Sequence, residues 1–219
     1  MSEYTPPICK TDLDLTIVDD LEPEPLKEVH FLYRSPGRVL TINDHWGPSI
    51  PYVSQARLGQ SSNYGYRNIK GDAEAAADIP EAQGFPMIVD FLTRINATES
   101  RLATAGCEKA LSNNDAYDPP LQYIGNYYSL LFAEDMENSL EEHIDLAINI
   151  TNALSGSEEF WTTIELSIEA SRSQLRAPIW VHHLKVMSHG EAENIRRNNL
   201  TVALNKIATM VEQEYVRHH

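Results

Sequence analysis

The alternation of hydrophobic and polar positions changes character several times along the chain. Residues 1–28 show no regular period, and Pro6, Pro7, Pro23 and Pro25 oppose a helix there. Proline lacks an amide donor and disfavours helix in the residue before it, so an extended arm is expected. In the following VHFLYRSPGRVLTIND, Val29, Phe31 and Tyr33 alternate, Ser-Pro-Gly supplies turn chemistry and residues 39–42 resume an apolar run. That pattern predicts a hairpin. Residues 44–84 lose the period among glycines, prolines and small polar residues. A loop of roughly forty residues is unusual in a compact domain and is generally functional or packed on a neighbour.

From Pro86 a helical spacing begins. Ile88, Phe91, Leu92, Ile95, Leu102 and Ala103 predict a helix over about 86–111, with Pro86 in its first turn. A second helix is expected over 121–137 and a third over 139–154. In the third, Leu140, Ile144, Ala147, Ile148, Thr151 and Leu154 form one stripe. Glu141, Glu142 and Asp145 lie in or near its first turn, where acids oppose the positive end of the helix dipole.

Residues 160–170 fit two readings. Ile164, Leu166, Ile168 and Ala170 alternate as in a strand, while Trp161, Ile164 and Ile168 also fit a helix. Beyond Pro178, Trp180, His182, Leu184 and Val186 alternate cleanly, which favours two antiparallel strands over about 160–170 and 179–187. Ser188 with Glu191 resembles a capping box. A last helix to about 216 is expected to bury Ile195, Leu200, Ala203, Leu204, Ile207 and Val211. The fold class is therefore α+β: an arm over 1–28, then one domain over 29–219. Its small β elements precede a mostly helical core, a C-terminal strand pair and a long terminal helix.

At 219 residues the chain is long enough for one substantial core. Hydrophobic content of 42% with 22% charged residues is ordinary for a globular chain and argues against wholesale disorder. No run approaches the roughly 18–20 apolar residues of a membrane span. The start MSEYTPPICKTDLDL has neither a basic opening nor an apolar stretch, so no secretory signal is expected. Cys9 and Cys107 are too few for a disulfide framework, and reduced thiols suit a cytoplasmic origin. The Asn-x-Thr sequons at Asn96, Asn149 and Asn199 read as chance in that setting.

The net charge of −15 is unevenly placed. Residues 1–30 carry −6, 31–70 carry +4, 71–175 carry −15 and 176–219 carry +2. So acidic a chain opposes nucleic acid and anionic lipid as partners. The alternating sign allows unlike blocks to meet within a chain or between copies. Imitation of a nucleic-acid backbone would need a denser acidic face than these helices offer.

Familiar catalytic signatures are absent, among them phosphate loops, dinucleotide fingerprints, HExxH, CxxC, GxSxG and EF-hand loops. A di-iron bundle would present Glu-x-x-His, yet no histidine has an acid three residues before it. Glu141, Glu142 and His143, with His189 and Glu193, are the residues left for a divalent metal, and their spacing is equally that of solvated helix surfaces. His182 and His183 adjoin on a predicted strand, so they face opposite ways and do not readily share a ligand. One of them is expected to turn inward with Trp180 as a hydrogen-bonded core histidine. Asp44, His45, Trp46 and Gly47 form a compact group after a strand, read as a turn with Trp46 over the core. His218 and His219 end the chain and resemble the start of a purification tag.

Trp46, Tyr52, Tyr64 and Tyr66 beside Arg57, Arg67 and Lys70 combine the side chains that most often anchor protein interfaces. The expected function is a non-enzymatic assembly protein without a cofactor. It would form a homo-oligomer or a fixed subunit of a larger particle, such as a virion or tail-like machine assembled in the cytoplasm. Its partners would be itself or other protein subunits, reached by the arm and the basic, aromatic loop. The alternative expectation is a small helical metal-dependent enzyme or ligand-binding protein using the Glu/His set.

Overall fold

A computed structural model describes residues 29–35, 38–50, 66–114, 121–133, 139–154, 162–173 and 179–217. The expected arm over 1–28 lies outside them. Among the described residues six strands form a single sheet: β1 (Val29–Ser35), β2 (Arg38–Ile50), β3 (Leu102–Asn114), β4 (Leu121–Phe132), β5 (Thr162–Ser173) and β6 (Ile179–His189). Their order is β1-β2-β5-β6-β4-β3. The β2·β5 pair is parallel and the other neighbours run antiparallel. Helices α1 (Ala73–Ala77), α2 (Pro86–Ile95), α3 (Leu140–Ala153) and α4 (Glu193–Glu214) complete the α+β arrangement, with a short 3-10 turn at Pro80–Ala82.

The β1–β2 hairpin and the antiparallel β5–β6 pair form where the alternating pattern predicts them. The helix expected over 139–154 is α3, and Ser139 caps it by accepting from the Glu142 amide at 3.3 Å. Two other expectations are corrected. The helix drawn over 86–111 stops at Ile95, and 102–114 is strand β3. Asn96 ends α2: its side chain donates to Leu92 O at 2.7 Å and accepts from the Thr104 amide at 2.9 Å, which starts β3. The helix drawn over 121–137 is strand β4 as far as Phe132. In β4 the buried Ile124, Tyr128, Leu130 and Phe132 share one side, a period of two. Gly125 suits that strand because a Cβ there would stand 3.2 Å from Met187 Cγ on β6.

The loop drawn over 44–84 also contains more structure than its composition suggests. β2 runs on to Ile50, paired with β5 through bulges, and α1 and the 3-10 turn occupy part of 73–82. The expected capping box is replaced as well. Ser188 remains in β6 and donates its hydroxyl to Arg196 O at 2.8 Å, while α4 begins after Ala192 with no side-chain cap. Ile195 is 45% exposed rather than buried, whereas Leu200, Ala203, Leu204, Ile207 and Val211 enter the core as expected.

One face of the sheet carries the helices. Ile88, Phe91 and Leu92 of α2, Ile144, Leu146 and Ile150 of α3, and Leu204 and Ile207 of α4 join Tyr128, Leu166, Ile168 and Leu184 in one apolar cluster. Burial of such side chains contributes about 1.5–3 kcal/mol each, the main force holding the layers together. A second, smaller cluster of Ala105 and Val181, with Leu131 and Ile179 against it, draws on strands alone. It belongs to the opposite face.

Candidate functional site

The positions expected to make contacts are scattered. Tyr52, Arg57 and Tyr64 lie outside the described residues, and Trp46 belongs to β2, where its backbone pairs with Ala170. Tyr66 is 39% exposed, and Arg67 makes an exposed pair with Asp78 at 3.5 Å. Lys70 turns inward. Its ammonium donates to the carbonyls of Ala97, Ser100 and Leu102 at 2.7, 2.6 and 2.7 Å, fastening the turn between α2 and β3. Burial first, then the charge of Arg217, lowers its pKa to about 8. All three donors are occupied within the chain.

The Glu/His set does not assemble either. Glu141 is exposed, Glu142 faces Arg101 at 3.5 Å, and Glu193 is exposed and paired with Arg197 at 2.8 Å. His143 is fully buried beneath α3, and His189 closes β6 beside Tyr123. Among the described residues no group of three or more His, Cys, Asp or Glu side chains is placed to hold a metal.

The chemistry that does converge is on β6 and was only half legible. His182 and His183 face opposite sides of the sheet, as adjacent strand residues must, yet both are buried. His182 points into the helix-covered core, its ring 6.4 Å from that of His143. Burial, and then the neighbouring His183, lowers its pKa to about 3. Burial and then His182 push His143 well below the usual imidazole range. These two histidines are neutral parts of the core.

His183 occupies the centre of the other face. Across β6 it stands opposite Ser129 of β4 and Ser167 of β5. Its Nδ1 is in hydrogen-bond contact with the Tyr127 hydroxyl and lies 3.1 Å from Ser129 Oγ, and its ring stacks on Tyr127 at 5.2 Å. Its Nε2 lies 3.3 Å from Glu169 Oε2, and Ser167 donates to Glu169 Oε1 at 2.9 Å. Strand pairing places Lys185 and Glu165 in the adjoining row, joined at 2.9 Å, and sets Val181 directly across from Glu169. Tyr127, Ser129, Ser167 and Glu169 alternate with core residues along their strands. That alternation marks a polar face, but only the register brings these side chains to one histidine.

A last feature is the sheet's two ends. Among the described residues, β1 pairs with β2 alone and β3 with β4 alone. No helix of the described residues is long and apolar enough to cross a membrane. Comparison of the chain with protein-family models, with curated proteins and with solved structures finds no match.

Proposed function

We propose that this chain is a non-enzymatic assembly protein, forming a homo-oligomer or serving as a fixed subunit of a larger particle. The observation that carries this reading is the edge of the sheet at β3, which among the described residues pairs with β4 alone. β3 is thirteen residues long, LATAGCEKALSNN, and contains no proline. An unpaired edge strand presents a row of amide and carbonyl groups to which another chain can add, and natural edges are usually short, charged or interrupted by proline. The uneven charge supplies a means of orienting copies. A basic 31–70 block and a strongly acidic 71–175 block give each chain unlike surfaces, and contact between unlike surfaces closes rings when the geometry permits.

Native mass spectrometry of the untagged protein at two salt concentrations tests this reading. The expected result is a defined oligomer at a whole multiple of the polypeptide mass, loosening as salt screens the charge blocks. A monomer at every concentration and both salts would overturn it.

A further inference from the structure

The helix-covered core holds two imidazoles that face one another from different elements. His143 lies near the start of α3 and His182 in β6, and both are wholly buried. Their rings are 6.4 Å apart and inclined by 24°. Each ring also addresses the backbone of the other element. His143 is hydrogen-bonded to the backbone of Trp180 on β6. His182 is directed at the backbone of His143 on α3, its ring nitrogens short of a hydrogen bond of ordinary geometry. A second proton on either ring would place a cation in an apolar layer, which is costly without a counter-charge.

The surroundings supply none of that compensation. The titratable groups acting on His143 are His182 and His183, and the one acting on His182 is His183, which are themselves bases. His183 points to the other face, where Glu169 stands 3.3 Å from it. Across β6, His182 meets Leu130 of β4 and Ile168 of β5. Phe132 of β4 places its ring 5.2 Å from that of His143, and Arg101 lies 5.3 Å over the same phenyl ring. Glu142 of α3 faces Arg101 at 3.5 Å. Burial first, and then the charges of Asp145 and Glu142, push up the phenol of Tyr215, at the end of α4. The positive end of the α3 dipole further opposes a cation at His143.

The seats of α2 and α4 are built differently. α2 meets β4 through Phe91 and Tyr128, and burial raises the Tyr128 phenol, so it stays neutral in acid. Arg94 of α2 holds Glu212 of α4 at 2.6 Å and keeps that carboxyl below its ordinary range. His189, which burial also lowers, stands at the C-terminal end of β6 beside Tyr123.

From this arrangement we infer that α3 is an acid-released helix, which leaves the sheet on acidification while α2, α4 and the strands stay folded. Release does not depend on whether the chain assembles. Docked, burial holds both rings below the usual imidazole range. Released, each titrates near 6.5. The released state therefore takes up protons that the docked state refuses, so docking is secure above about pH 6.5 and is lost as pH falls. From pH 7 to pH 5 each ring multiplies the ratio of released to docked helix by about 25, and the two together by about 600.

Hydrogen exchange of the full chain, followed by mass spectrometry at pH 7 and pH 5 with times scaled for the slower exchange chemistry in acid, reads this release. The α3 amides should lose several-hundred-fold in protection, and at pH 5 exchange at least about tenfold faster than those of α2 and α4. His182→Leu should reduce the acid loss in α3 to about 25-fold. If that variant fails to fold, His143→Gln, which keeps a neutral hydrogen-bonding side chain, should do the same. Unchanged protection of α3 at pH 5, exchange of α3 together with α4, or an undiminished acid loss in a variant that folds would each overturn the inference.

Discussion

His182 and His183 are neighbours in sequence, and the two faces of the sheet treat them in opposite ways. On the helix side, His182 stands across from Leu130 and Ile168 with the His143 ring 6.4 Å away, and burial lowers its pKa to about 3. On the other side, His183 is equally enclosed but surrounded by two hydroxyls and a carboxylate. Burial alone therefore says little about a histidine, because the groups that accompany the ring into the interior decide its role. The helix-covered face carries the stability of the fold, and the opposite face is where its polar side chains are concentrated.

The largest effect that separates the faces is expected from the core. Phe91 is 1% exposed and its ring lies 4.6 Å from that of Tyr128, joining α2 to β4. Phe91→Ala should cost about 3–5 kcal/mol, measured as a fall in the midpoint of urea unfolding. A loss below about 1 kcal/mol would mean that α2 does not seal this face.

A smaller effect follows from the buried imidazoles. His182 is lowered to about 3, whereas an unfolded chain titrates near 6.5. Between those values the unfolded state takes up a proton that the folded state refuses, so stability is present above about pH 6.5 and is lost as pH falls towards 3. His182 alone should remove about 2 kcal/mol by pH 5. His143 acts in the same direction. His182→Leu should flatten the stability profile over this range, and an unchanged slope would place the ring in contact with water.

Much of this arrangement was legible in the sequence, and the failures have physical causes. Strict alternation over Ile164–Ala170 and Trp180–Val186 identified β5 and β6, because one side of each strand is apolar and the other polar. The capping serine and apolar stripe of α3 were equally plain. β3 was misread because Leu102, Ala103, Ala105 and Ala110 are good helix formers whose pairing with β4 overrides local propensity. β4 was misread although Tyr123, Tyr127 and Tyr128 favour strands, since Leu121, Ile124, Tyr128 and Leu131 also satisfy a helical spacing. The His183 site was hidden for a different reason. Tyr127, Glu169 and His183 are distant in sequence, and nothing short of the β4·β6·β5 register places them together.

The account of assembly rests on β3, which among the described residues pairs with β4 alone and so offers an edge to another copy. Backbone hydrogen exchange, followed as a function of protein concentration, addresses that edge directly. The β3 amides should exchange more slowly as concentration rises, while those of α4, already enclosed by the core, stay unchanged. Exchange in β3 that is independent of concentration would contradict it.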